Sequence, residues 1–315
     1  MNNNSNVIMA LCSHLSVTDG FSPLEPKEWA ELAKLLLDNN LQPEDLFDLS
    51  EKDFLNRLHI GKEFSQRIMR LLDRSASLSF EISKYANMGI YPITRADKKY
   101  PERLKKKLGN ACPPIFYYAG NLSLLDNESI GFVGSRSIGE SDEIFTKKIV
   151  NTIIDNGFSV VSGGAKGIDS IACETAISVG GTVTEFLSDS MLRKLRNSAV
   201  VDAVQNSKLL LMSVVKPDAG FNAGIAMMRN KYIYSHSSGT VVVKADYNKG
   251  GTWTGALENL KHNWCNTYCW DNKRYNGNSG LILKGAIPID ENWNGDITEQ
   301  SNTTKSEQLN LFDNL

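Results

Sequence analysis

The sequence predicts an α/β fold: an extended Rossmann-like, doubly wound and mainly parallel sheet preceded by a small all-helical N-terminal domain. Three observations carry that prediction. Two short apolar runs, Ile130 to Val133 and Phe158 to Val161, each lead into a glycine-rich loop. Between them Ile144, Phe145, Ile149 and Ile153 recur at helical spacing, so the segment reads as a βαβ unit. Before residue 88 the apolar pattern is helical; after it, near-continuous apolar runs alternate with helical segments, the pattern of a parallel sheet covered on both faces.

Residues 1–88 read as a helical domain of the SAM or helix-hairpin-helix kind. Pro26 suits a first helical turn, and Trp29, Leu32 and Leu36 follow at three- and four-residue spacing. Ser50 with Asp53 marks a second helix start, with Phe54, Leu55 and Leu58 as its apolar face. The turn from Leu58 to Gly61 resembles half of a DNA-contacting helical hairpin, but one copy is read as a plain helical turn. One continuous helix is then expected to carry Phe64, Ile68, Leu71, Leu72, Leu78, Ile82 and Tyr85 and to stop near Gly89. Residues 89–289 form the sheet domain, with strands expected at 90–94, 112–121, 130–133, 158–162, 182–187, 209–215 and 240–245. Strand-like runs follow at 264–270 and 281–283. Residues 290–315 are polar, acidic and turn-rich, and read as a flexible tail.

The 315 residues, 41% of them hydrophobic, suffice for a real core. A net charge of −2 argues against coating nucleic acid through overall charge, so a polyanion site must be a local patch. Five scattered cysteines suit a reducing compartment, and Cys265 with Cys269 read as buried thiols rather than metal ligands. No run approaches a membrane span and the Asn-rich start does not resemble a signal peptide, so the expectation is a cytoplasmic protein without membrane contact. No histidine sits in a nucleophile pattern and no paired metal-carboxylate spacing occurs. No catalytic residue, metal or cofactor is therefore expected; the site looks built to bind.

In an open parallel sheet, ligands sit beyond the carboxyl ends of the strands. Gly134, Ser135 and Arg136 lie on the first loop, and Ser162, Gly163, Gly164, Lys166 and Gly167 on the second. Backbone N–H groups, hydroxyls and a guanidinium fork suit phosphate. The first loop is not G-x-G-x-x-G, and no acidic residue closes the next strand, which disfavours a dinucleotide. The bland alternative is a tight turn at Gly134 with Arg136 paired to a surface carboxylate. Asp169 is read as a helix cap rather than a catalytic group. Arg229, Asn230 and Lys231 interleave with Tyr232 and Tyr234, and cations among aromatics hold a backbone and stack bases; the alternative is a helix face with its tyrosines in the core. A third glycine loop carries Gly251 and Thr252, and its Trp253 either stacks a base or fills the helix–sheet interface, burial being the preferred reading.

At these residues the chain resembles the DprA (Smf) family of DNA-processing proteins. Gly134, Ser135 and Arg136 match the family's G-S-R loop, and Ser162 through Asp169 keep every fixed position of S-G-x-A-[RK]-G-I-D. Arg229 to Ile233 stand for R-N-R-I-I, Gly250 to Ala256 for the next glycine segment, and Gly277 to Ala286 approximately for G-x-x-x-L-I-x-x-G-A. The resemblance covers residues 90–289. It implies a Rossmann-like domain holding single-stranded DNA without sequence preference, self-association as a homodimer, and hand-over of the strand to RecA in recombination and natural transformation. It assigns phosphate contact to Arg136, Lys166 and Lys231 or Arg229. The approach to Arg229 departs from the family's proline-rich pattern, and Tyr232 to Ser237 replace an apolar run.

In the tail, Gln308, Leu309, Leu311 and Phe312 look like the Q-L-x-L-F peptide that docks into the β sliding clamp. Two rival functions stay open: a nucleotide-hydrolysing protein of the lysine-decarboxylase-like superfamily, and a nucleotide sensor in phage defence. Against the first, Gly250 to Glu258 lack the proline and G-T of P-G-G-x-G-T-x-x-E and place the glutamate one position late.

Overall fold

The computed structural model describes residues 2–16 and 20–297. The sliding-clamp peptide at 308–312 lies outside the described residues. The chain divides into two compact units.

The first unit runs up to Leu122 and adds Leu187–Val201 and Leu211–Phe221. Its helices α1 (Asn3–Cys12), α2 (Pro26–Asp38), α3 (Glu51–Asn56), α4 (Lys62–Asp73) and α5 (Ser75–Ala86) precede strand β1 (Tyr91–Thr94), helix α6 (Glu102–Leu108) and strand β2 (Ile115–Ala119). The two strands pair antiparallel, Tyr91 opposite Tyr118. The helical segment thus shares a unit with these strands rather than ending at residue 88, because α1 and α5 both pack on β1.

The single helix expected from Phe64 to Tyr85 is two helices, α4 and α5, meeting at Arg74. The cause is a buried guanidinium. Arg74 is 6% exposed and donates to the carbonyls of Ala10, Ser13 and Leu15 at 2.8, 2.6 and 3.0 Å. Those bonds satisfy one carbonyl in the last turn of α1 and two in the segment just after it, and burying a charge requires such satisfaction.

The second unit comprises Ser123–Phe186, Asp202–Leu210 and the chain from Asn222 onward. Its elements are β3 (Ser129–Val133), α7 (Glu140–Asp155), β4 (Ser159–Ser162), α8 (Ile168–Ser178) and β5 (Val183–Leu187). Helix α9 (Met191–Lys194) belongs to the first unit, and helix α10 (Ser198–Gln205) and strand β6 (Leu209–Ser213) are each divided between the two. The second unit continues with α11 (Ala223–His236), β7 (Gly239–Val242), α12 (Gly250–His262), β8 (Asn266–Trp270), α13 (Asn276–Leu283) and β9 (Ile287–Ile289). The parallel strands stand side by side as β5-β4-β3-β7-β8-β9. Their side chains are almost all buried, as near-continuous apolar runs demand. This is the α/β, mainly parallel architecture that the sequence predicts.

Residues 281–283, expected as a strand, belong to α13. Asn278, wholly buried, accepts from the Ala245 N–H at 2.9 Å and donates to the carbonyls of Val243 and Trp270, both at 2.9 Å. It satisfies backbone groups just beyond β7 and at the last residue of β8, which fixes the helix against the carboxyl edge of the sheet.

Candidate functional site

Strand order locates the site. From β3 the chain moves to β4 and β5 on one side, and later from β7 to β8 and β9 on the other, while β3 and β7 are direct neighbours. The β3–β7 boundary is therefore a topological switch point, where crevices open beyond the carboxyl ends of strands. The first glycine loop follows β3, the second follows β4 and the third follows β7, so all three lie on this edge.

The first two loops touch backbone to backbone. The Ile168 N–H donates to the Ser135 carbonyl at 3.3 Å. Gly167, with φ +86°, leads into α8, and a Cβ there would lie 2.3 Å from the Ser135 oxygen and 2.8 Å from the Arg136 Cα. Only glycine fits both the conformation and the space. The contact fixes Arg136 and Lys166 on adjoining loops, and both side chains are exposed. Gly134, Ser135 and Gly164 are half-buried. Two hydroxyls serve the loops themselves. Ser135 Oγ accepts from the Ser137 N–H at 3.1 Å, and the buried Ser162 Oγ donates to the Phe132 carbonyl at 2.7 Å.

Beneath the second loop lies a buried ion pair. Arg229 is 4% exposed, and its Nη1 stands 3.8 Å from Asp169 Oδ2. The guanidinium reaches past Gly163, where an added Cβ would sit 1.0 Å from Nη1. Asp169 also accepts from the Ala165 N–H at 3.4 Å, which holds the loop; it lies within α8, whose N-cap is Gly167, so it ties down the preceding loop instead of capping the helix as expected. Burial pushes its carboxyl up, while Arg229 and backbone N–H groups oppose the shift. Arg229, grouped by sequence with the phosphate contacts, is thus placed as an internal strut, since its charge is neutralised by a carboxylate away from solvent.

Asn230 is likewise buried and donates to the Gly251 carbonyl at 3.0 Å, tying α11 to the first turn of α12. Lys231 is half-buried with its ammonium 5.4 Å over the Tyr232 ring, and Gly251 and Thr252 are half-buried at the start of α12. The two rings considered for base stacking lie in the interior. Tyr232, 2% exposed, packs against Phe186, and Trp253, 4% exposed, against Tyr247. Neither presents a face to a base, so the core alternative describes both.

Helix dipoles contribute less than the sequence suggests. The first turn of α7 already carries Glu140, Asp142 and Glu143, which satisfy the positive helix end locally. Attraction for an anion at this edge rests on the side-chain cations. Lys244, which the sequence reading passed over, stands here too: its Nζ donates to the Ser137 carbonyl at 2.9 Å and lies 3.2 Å from Asp142 Oδ2. A lysine directly beyond a strand that neighbours a glycine loop was the signal that could have found it. Among the described residues no group of three or more His, Cys, Asp or Glu could hold a metal ion, and no helix is long and apolar enough to cross a membrane. Cys12, Cys112, Cys173 and Cys269 are buried and Cys265 is half-buried.

The arrangement can grip successive anionic groups along an open edge; it contains no nucleophile–base pair that the geometry singles out. A family described as DNA recombination-mediator protein A matches residues 92–301. Protein Smf of Synechocystis is 28% identical over 177 residues, 53% of this chain and 43% of that protein. DNA processing protein DprA of Streptococcus pneumoniae is 26% identical over 193 residues, 61% of this chain and 64% of that one. The chain thus spans 43% of the length of the first of these relatives and 64% of the second. The X-ray structure of the S. pneumoniae protein superposes with a TM-score of 0.70 at 19% identity, covering 92% of this chain and 95% of that one. DNA processing protein A of Helicobacter pylori gives 0.53 at 22% identity over 64% of this chain and 90% of its own.

Proposed function

Because the chain belongs to the DNA recombination-mediator protein A (DprA/Smf) family, we propose that it binds single-stranded DNA by its phosphate backbone at the paired glycine loops of the second unit. The observation that carries this reading is the backbone approach of Gly167 to Ser135, which holds together the two loops that bear the exposed Arg136 and Lys166. Two cations on adjoining loops suit two neighbouring phosphates of one strand. The H. pylori relative is itself described by its single-stranded DNA binding mode, which supports the choice of ligand. The absence of base-facing aromatic rings at Tyr232 and Trp253 makes the proposed grip one of backbone rather than base.

The reading is of binding without turnover, inside the cell. It includes self-association as a homodimer, delivery of the bound strand to a RecA-type recombinase, and docking of the peptide at 308–312 on a sliding clamp. Titration with oligo-dT and, in parallel, with mononucleotides tests the core of it. Saturable oligo-dT binding with weak or no mononucleotide binding is expected; tight mononucleotide binding with none for oligo-dT would turn the reading toward a nucleotide sensor or hydrolase.

A further inference from the structure

One fully buried carboxylate joins three elements at the rim of the first loop. Asp142, in the first turn of α7, is 0% exposed. Its Oδ2 accepts from the Gly139 N–H at 2.9 Å and lies 3.2 Å from Lys244 Nζ, just beyond β7. Its Oδ1 accepts from the hydroxyl of Tyr275, the residue that caps α13. The Lys244 ammonium in turn donates to the Ser137 carbonyl at 2.9 Å and stands 5.0 Å over the Tyr275 ring. The first loop is therefore moored at both sides. On one side the second loop holds Ser135; on the other this cluster holds Ser137 and Gly139.

We propose that Asp142, Lys244 and Tyr275 are positioning residues for the anion-binding loop: they hold residues 135–139 in the ligand-accepting conformation without themselves touching the ligand. The proposal rests on the reading of that loop as a DNA phosphate site. Lys244 is only partly exposed, with 22% of its side chain accessible, and the fully buried Asp142 neutralises it. A charge so compensated is poorly suited to attract a second anion. Tethering a carbonyl and an amide of the same short loop instead removes conformations that the ligand would otherwise have to exclude, and affinity rises with such preorganisation.

The test uses the full chain and a fluorescent oligo-dT strand, read by anisotropy over a range of salt concentrations. The charge-balanced double variant Lys244→Met, Asp142→Asn keeps the net charge and an acceptor for the Gly139 N–H while cutting the lysine tether. Tyr275→Phe removes one hydroxyl. The double variant is expected to bind about tenfold more weakly, as losing a supporting contact around a site commonly does, and Tyr275→Phe less severely so. The dependence on salt should keep the parent slope, and hydrogen exchange across residues 135–139 should quicken while other segments keep their protection. Unchanged affinity and exchange would overturn the proposal. So would a slope flatter by about 0.7, the mark of a lost phosphate contact on a single strand, since Lys244 would then be a ligand. Should Arg136→Ala alter neither affinity nor slope, the phosphate-site reading fails instead, and the exchange measurement still decides whether the cluster holds the loop. If the double variant does not fold, Tyr275→Phe carries both readouts.

Discussion

Replacing Arg229 with alanine is expected to cost about 3–5 kcal/mol of folding stability, the penalty for leaving a buried carboxylate without its cation. Asp169 keeps its backbone contacts with Ala165 and Gly163, but backbone hydrogen bonds alone do not balance a buried charge. The deficit should depend on pH. Burial already raises the Asp169 carboxyl, and Arg229 opposes that rise. A raised carboxyl binds its proton more tightly in the folded than in the unfolded state, so its contribution is present at low pH and lost as pH rises through the folded value. Without Arg229 the rise is larger. The variant's deficit against the parent should therefore be greatest at neutral pH and shrink in acidic buffer, as urea unfolding at several pH values would reveal. A deficit that stays constant with pH would mean that the ion pair is not what Arg229 supplies.

The second large effect is expected at Gly167. An alanine there must adopt φ +86° and place its Cβ 2.3 Å from a backbone oxygen. The conformation alone costs about 1–3 kcal/mol, and no side-chain rotation relieves a clash with backbone, so the two loops must part. Gly167→Ala should lower the melting temperature and abolish measurable oligo-dT binding together. Gly139→Ala is the control: its φ is −111° and an added Cβ there meets nothing within 4 Å. It should disturb both properties far less. Equal losses at both glycines would argue that the loop contact has no special role.

Much of this architecture is legible in the chain because strands, glycine loops and helices repeat with local periods. The βαβ unit from β3 to β4 is such a case: Phe145, Ile149 and Ile153 point inward as their spacing requires. Ile144, on the same apolar stripe, is 60% exposed, since a periodicity wider than the buried face cannot mark its own edge. The break at Arg74 was hidden for a different reason. Apolar spacing continues through it, and the carbonyls that hold the guanidinium lie about sixty residues earlier in the chain.

The site divides along the same line. Arg136 and Lys166 are recognisable because glycine loops after apolar runs define where they stand. Arg229 and Lys231 look equivalent in sequence, yet helix phase turns the first inward with Tyr232, Ile233 and His236 and leaves the second half-buried. Lys244 was missed since its partners Ser137 and Asp142 are 107 and 102 residues away. A local pattern names the cations near a glycine loop; only tertiary contacts separate the exposed ones from those held in the interior.

The most direct test of the central claim is the salt dependence of oligo-dT binding by the parent, Arg136→Ala and Lys166→Ala. Each exposed cation that meets a phosphate releases counterions, so each variant should bind more weakly and flatten the log–log slope by about 0.7. Parent affinity and parent slope in both variants would contradict a phosphate grip at the paired loops.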